Sequence, residues 1–165
     1  LKTLRFSRNF SPKPMKQRTT AVEALITLIS EQSPISHLYL QGSKTNSLKL
    51  DILDFLDGVG SNKTLLFLDI SGQAMGNKGA IALGKAIQTN HTLEHLVFDE
   101  NGTGMPGLVA VVNGMQRNRS LKQMRLPILD ISAIPKSEPR LLKTLDLIQA
   151  TLARNQNPKS TLGQG

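Results

Sequence analysis

Residues 65–92, LLFLDISGQAMGNKGAIALGKAIQTNHT, are followed by residues 93–120, LEHLVFDENGTGMPGLVAVVNGMQRNRS, and the two 28-residue stretches align position by position. Leu65, Leu68 and Ile70 in the first match Leu93, Leu96 and Phe98 in the second, and Gln73 matches Asn101. The spacing is L-x-x-L-x-L-x-x-N, and it recurs outward in both directions. Upstream it reads Ile35, Leu38, Leu40, Ser43 and, before that, Leu1, Leu4, Phe6, Asn9; downstream it reads Leu121, Met124, Leu126, Leu129. The first positions lie 34, 30, 28 and 28 residues apart. Between these ladders runs a second period. Ile52, Phe55, Leu56 and Val59 return as Ala80, Leu83, Gly84 and Ile87, then as Leu108, Val111, Val112 and Met115. Val22, Leu25, Ile26 and Ile29 supply the same set one unit earlier. Spacing of i, i+3, i+4 and i+7 is one stripe of an α-helix.

Strand and helix patterns that advance by a common step describe a repeat whose single unit cannot bury its own apolar face. The expected fold is an α/β leucine-rich-repeat solenoid, with strands side by side in a parallel sheet on the concave face and helices outside. The units of about 28 residues resemble the ribonuclease-inhibitor-like class of such repeats. Residues between the ladder leucines point outward onto the concave face. The Asn position suits a side chain that bonds backbone groups where the strand turns away. Asn9 and Asn101 keep it, Ser43 substitutes in part, Gln73 is longer than the position favours, and Leu129 cannot serve. The first unit carries extra residues between strand and helix, in Phe10 to Arg18, where Pro12 and Pro14 predict a surface loop. After Pro127 the phase breaks. Leu141, Leu145, Ile148 and Leu152 then predict a capping helix over about 138–154, ending near Arg154 and covering the open end of the core. Residues 1–154 are expected to form the repeat domain, and residues 155–165, NQNPKSTLGQG, a polar linker or tail.

Composition narrows the function classes. Aromatic residues make up 4% of the chain, with no Trp and one Tyr, which argues against a stacking platform for single-stranded nucleic acid. The absence of cysteine excludes disulfides, thiolate metal sites and cysteine nucleophiles. No apolar run reaches the ~20 residues of a membrane span, and Leu1 to Arg18 lacks the apolar core of a signal peptide. The first residue is not Met and already lies inside a repeat, so the chain is expected to be excised from something longer. The net charge is +8, with Lys2, Arg5, Arg8, Lys13, Lys16 and Arg18 in one group and Arg117, Arg119, Lys122 and Arg125 in another. Such groups are candidates for an anionic membrane, nucleic acid or acidic proteins, although a solvated basic surface is the favoured reading.

Several motifs dissolve into the repeat. Asn62-Lys63-Thr64, Asn90-His91-Thr92 and Asn118-Arg119-Ser120 match the N-glycosylation pattern, but their 28-residue recurrence reads as a turn. In that turn the Asn is expected to end the helix in a left-handed conformation. His37 and His95 stand on equivalent outward positions two strands apart, roughly 10 Å, too far to share a zinc ion. Gly72, Gly76 and Gly79 fit neither a P-loop nor a dinucleotide fingerprint and read as strand-to-helix turn residues. No catalytic set, metal site or cofactor is implied. What remains is the concave face, expected to carry Thr3, Arg5, Ser7, His37, Tyr39, Gln41, Phe67, Asp69, Ser71, His95, Val97, Asp99, Gln123 and Arg125. The candidate protein-binding residues on it are Arg5, His37, Tyr39, Phe67, Asp69, His95, Asp99 and Arg125. Tyr39, Phe67 and Arg125 are of types enriched in binding hot spots.

The Asp69-Ile70-Ser71 strand, the segment Phe98-Asp99-Glu100-Asn101 and the closing TLDLIQATLARNQNP of residues 144–158 resemble the end of the repeat domain in CARMIL proteins, regulators of actin capping protein. The resemblance implies a non-enzymatic cytosolic scaffold, associated with the plasma membrane at actin-rich edges, with actin-regulatory partners and a homodimeric parent. In that family capping protein is bound beyond the repeats by a basic, proline-containing segment, and nothing in this chain matches it. The rival readings are a repeat-type ligand sensor or inhibitor, like the ligand-binding end of an innate immune receptor, and a binder of anionic membrane or nucleic acid through the basic groups.

Overall fold

The protein is described here by a computed structural model, which covers residues 2–6, 15–30 and 32–158. Its elements are β1 (Lys2–Arg5), α1 (Met15–Leu28), β2 (Ile35–Tyr39), a 3-10 turn (Lys49–Asp51) leading into α2 (Ile52–Ser61), and β3 (Phe67–Asp69). They continue as α3 (Gly76–Thr89), β4 (His95–Val97), α4 (Met105–Arg117), β5 (Gln123–Met124), α5 (Ile128–Ser132) and α6 (Leu141–Gln156). The strands form one parallel sheet in chain order. Leu38 pairs with Leu68, Leu68 with Leu96 and Leu96 with Met124, so equivalent ladder positions lie side by side. Parallel neighbours require a crossover connection, and from β2 onward the helix stripe of each unit supplies it.

The ladder side chains and the helix stripes meet in a single core. Leu38, Leu68, Phe55, Leu83 and Val111 are all fully buried there. Each such residue contributes about 1.5–3 kcal/mol relative to staying in water. Gly84 belongs to the stripe for a different reason. A Cβ there would sit 2.3 Å from the Ala110 carbonyl oxygen, and one on Gly114 would sit 2.1 Å from that of Gly84. The backbones of α3 and α4 therefore touch directly, and both contacts need the missing side chain. At the far end α6 packs on α4 and closes the core with buried Ile148, helped by Leu141, Leu145 and Leu152.

Three local expectations change. Met15 to Arg18, placed in the surface loop by the two prolines, already belongs to α1; residues 7–14, with Ser7 and Asn9, lie outside the described residues. The capping helix runs from Leu141 to Gln156, so Asn155 and Gln156 extend it past Arg154; residues 159–165 lie outside the described residues. The third change concerns the asparagines. Asn62, Asn90 and Asn118 are extended, not left-handed, with φ of −64°, −77° and −81°. The reason is their side chains, which are buried and fully engaged. Asn90 donates from Nδ2 to the carbonyls of Val59 and Asn62, at 2.8 and 3.1 Å, and accepts at Oδ1 from the amides of Thr92 and Leu93, at 2.9 and 2.7 Å. Asn118 repeats this one unit on, with the carbonyls of Ile87 and Asn90 and the amides of Ser120 and Leu121. Asn62 holds the Ile29 carbonyl and the amides of Thr64 and Leu65. Asn155 of α6 ends the row on the carbonyls of Asn118 and Leu121. The periodic turn reading of these sequons stands; only its backbone geometry differs.

A second row holds the other end of the strands. Asn101 donates from Nδ2 to the carbonyls of Ile70 and Phe98 and accepts from the Gln73 amide at 3.0 Å. Gln73, for all its length, fills the same position. Its Nε2 donates to the Leu40 carbonyl, and its Oε1 accepts from the Leu48 amide at 2.8 Å. The unit it spans is 30 residues long instead of 28, and the extra methylene reaches across the longer turn. Among the described residues Ser43 bonds only locally, to Asn46. Leu129 is exposed, and its neighbour Asp130 takes over, accepting from the amides of Asn101 and Gly102 at 3.1 and 3.0 Å.

Asn90→Ala strips partners from two buried carbonyls and two amides and is expected to destabilise the chain by about 3 kcal/mol, read by urea unfolding. Gly114→Val pushes α4 off α3 and is expected to cost about 1–3 kcal/mol in the same assay.

Candidate functional site

The helices cover one face of the sheet and leave the other open. Alternation along each strand sends Thr3, His37, Phe67, His95 and Gln123 to that open face in one row; the pairing register sets His37 beside Phe67, Phe67 beside His95 and His95 beside Gln123. The next row is Arg5, Tyr39, Asp69 and Val97. The two rows lock into a ring cluster. The Phe67 ring lies 4.7 Å from that of Tyr39, 5.8 Å from His37 in a near-parallel stack of 10°, and 6.3 Å from His95. The Arg5 guanidinium carbon lies 4.2 Å from the centre of the Tyr39 ring, in cation–π range. All four rings are half-buried. Pairs of this kind contribute about 0.5–1.5 kcal/mol each beyond their burial.

Of the eight candidate residues, the structure brings five together: Arg5, His37, Tyr39, Phe67 and His95. Arg125 follows β5 and is exposed. The two aspartates have other occupations. Asp69 is only 4% exposed; its oxygens accept from Gln41 Nε2 at 2.6 Å and from the amide and hydroxyl of Ser71 at 3.0 and 2.7 Å. Asp99 accepts from the amides of Glu100, Leu129 and Asp130, which fastens the start of α5. Ser7 lies outside the described residues.

Ser36 Oγ lies 2.9 Å from His37 Nδ1, which invites comparison with a nucleophile and its base. The two are consecutive residues, and among the described residues no carboxylate orients the imidazole. The contact steadies the ring against Phe67. No cluster of three or more metal-ligating side chains occurs among the described residues. Gly72 and Gly76, both with positive φ, turn the chain from β3 into α3, and Gly79 sits inside that helix.

Two members of the second basic group, Arg119 and Lys122, lie together. Lys122 is ion-paired with Glu94 at 2.7 Å, and Arg119 shares a shallow depression with Lys122 and Arg154. Arg154, which sequence spacing did not single out, caps the C-terminal end of α4 through the carbonyls of Gln116 and Asn118, at 2.9 and 2.6 Å. Burial, and then the nearby charge of Arg119, push its pKa down from the usual arginine range.

No protein-family model matches the chain. The protein CARMIL of Dictyostelium discoideum is 39% identical to it over 159 residues, 96% of the chain. Over the segment they share, the chain is homologous to CARMIL proteins. The human capping protein, Arp2/3 and myosin-I linker protein 3 is 32% identical over 97% of the chain. The Rho GTPase-activating protein gacW of Dictyostelium discoideum shares 37% identity over 89% of it. The chain spans 15%, 12% and 14% of the length of these three relatives, in that order, so the CARMIL likeness concerns one segment of much longer proteins. A solved structure of leiomodin-1 actin-binding site 2 matches with a TM-score of 0.54 at 12% identity, covering 92% of this chain and 94% of that one. At that identity the match speaks for the fold: α/β, with a parallel sheet backed by helices.

A double-mutant cycle on Arg5→Ala and Tyr39→Leu, read by chemical denaturation, is expected to return a coupling of about 0.5–1 kcal/mol.

Proposed function

We propose that residues 1–154 are part of a leucine-rich-repeat solenoid that serves as a non-enzymatic protein-interaction scaffold in a CARMIL-like regulator of actin capping protein and actin assembly. The observation that carries this reading is the ring cluster on the open face. Monomers seldom build a contiguous row of rings on a solvated sheet without a binding use for it. Preset rings lose little freedom when a partner arrives, so most of the contact energy survives as affinity. Arg5 packs on the Tyr39 ring, and arginine among aromatic rings is a composition typical of interface hot spots. The whole relatives are about seven times longer or more, by the 12–15% of their length that the chain spans, and one of them is named as a linker of capping protein, Arp2/3 and myosin-I. In the proposed role this segment holds its binding face in fixed geometry relative to modules elsewhere in a homodimeric parent. We place that parent in the cytoplasm at the plasma membrane and cytoskeleton, with the basic side chains meeting anionic lipid. No helix among the described residues is long and apolar enough to cross a membrane.

The test is a pull-down from cytosolic extract with the 165-residue chain, at low and high salt, with bound proteins identified by mass spectrometry. Actin-regulatory proteins are expected at both salts, and they should vanish with Tyr39→Ala/Phe67→Ala while circular dichroism stays native. Recovery of nucleic acid and its companions alone, lost at high salt, would instead favour the basic-surface alternative.

A further inference from the structure

Two imidazoles flank one phenyl ring on the open face: His37 at 5.8 Å and His95 at 6.3 Å from Phe67, on adjacent strands and in register. Imidazole is the side chain that changes charge between about pH 5 and 8. What a new charge would meet there is set by its neighbours. Around His37 stand Thr3 and Arg5 of β1, Tyr39 of β2, and Phe67 and Asp69 of β3. Around His95 stand Asp69 of β3, Glu94 next to it in the chain, and Lys122, Gln123 and Arg125 from the β5 side.

Every acid in that set is already engaged. Asp69 is held by Gln41 and Ser71, Glu94 by Lys122, and the more distant Asp99 by three backbone amides. Among the described residues neither histidine, nor Arg5, nor Arg125 has a carboxylate partner. Protonation therefore adds charge that the fold does not neutralise, while the Phe67 face between the rings favours an adjacent cation. The imidazoles are two strand spacings apart, roughly 10 Å, about one Debye length at physiological salt.

We propose that the open face takes acidic peptide segments bearing aromatic side chains, and that His37 and His95 make its grip tighten as pH falls. The inference rests on the reading of this face as protein-binding. Its chemistry is complementary in both respects: flat rings accept an aromatic side chain, and two arginines with two chargeable imidazoles await carboxylates whose counterparts in the fold are spent. The sign follows from linkage. A bound carboxylate favours the protonated imidazole, so its contribution is full at low pH and fades as pH rises through the value of the bound form.

The probe is a fluorescent nine-residue peptide, roughly three Glu-Glu-Phe repeats, with a Lys-Lys-Phe counterpart, titrated by anisotropy near pH 6 and pH 7.5 at constant ionic strength. The acidic peptide is expected to bind about tenfold tighter at the lower pH, two imidazoles each contributing a factor of about three. His37→Gln/His95→Gln should flatten that dependence, so that the affinities near pH 6 and pH 7.5 agree within about twofold. Phe67→Ala, with native circular dichroism, should weaken binding at both values. Binding that ignores pH, or equal binding of the lysine peptide, overturns the proposal while the protein-binding reading of the face survives. Indifference of the acidic peptide to Phe67→Ala removes the face itself.

Discussion

The structure depends on giving every buried peptide group at the helix-to-strand turns a partner. A turn inside a stack of units is cut off from water on the side of the next unit, and an unmatched amide or carbonyl there costs about 1–3 kcal/mol. The row Asn62, Asn90, Asn118, Asn155 meets this demand. The backbone carbonyl of each of the first three is held by the side chain of the next, while the side-chain oxygens of Asn62, Asn90 and Asn118 seed the following strand. Asparagine is suited to it because its amide carries donors and an acceptor on a short stem. The direct backbone contact of α3 with α4 at Gly84 and Gly114 fixes the spacing of the outer layer in turn.

With both rows of amides in place, the strands cannot slip, and equivalent side chains on the open face must line up. That alignment is what turns scattered residues into a cluster. His37, Phe67 and His95 occur 30 and 28 residues apart in the chain and become immediate neighbours only through the register. The same geometry assigns the acids a different role from the rings. Asp69 and Asp99 point from the face but spend their oxygens on Gln41, Ser71 and the start of α5.

Much of this was legible in the sequence, because two periods advancing together leave little freedom. The ladders gave the strands, the stripes gave the helices, and alternation named the residues of the open face. What escaped was anything decided by a partner one unit away. Local spacing allows an asparagine after a helix to be either left-handed or extended; the carbonyls of Val59 and Asn62 settle the matter for Asn90. Asp130 was hidden for a related reason. The ladder counts to Leu129, but Pro127 breaks its phase, and the functional oxygen arrives one residue late. The commitment of Asp69 is invisible without knowing that Gln41, 28 residues earlier, lies alongside it.

The exchange of Asn101 for Gln73 in the neighbouring unit shows how unit length is regulated. Where the turn has grown by two residues, the side chain that spans it has grown by one methylene, and the strands on either side stay in step. The number of residues per unit is thus not a fixed constant of the architecture. Side-chain reach works as an adjustable spacer, so insertions can accumulate at these turns while the open face keeps its pitch.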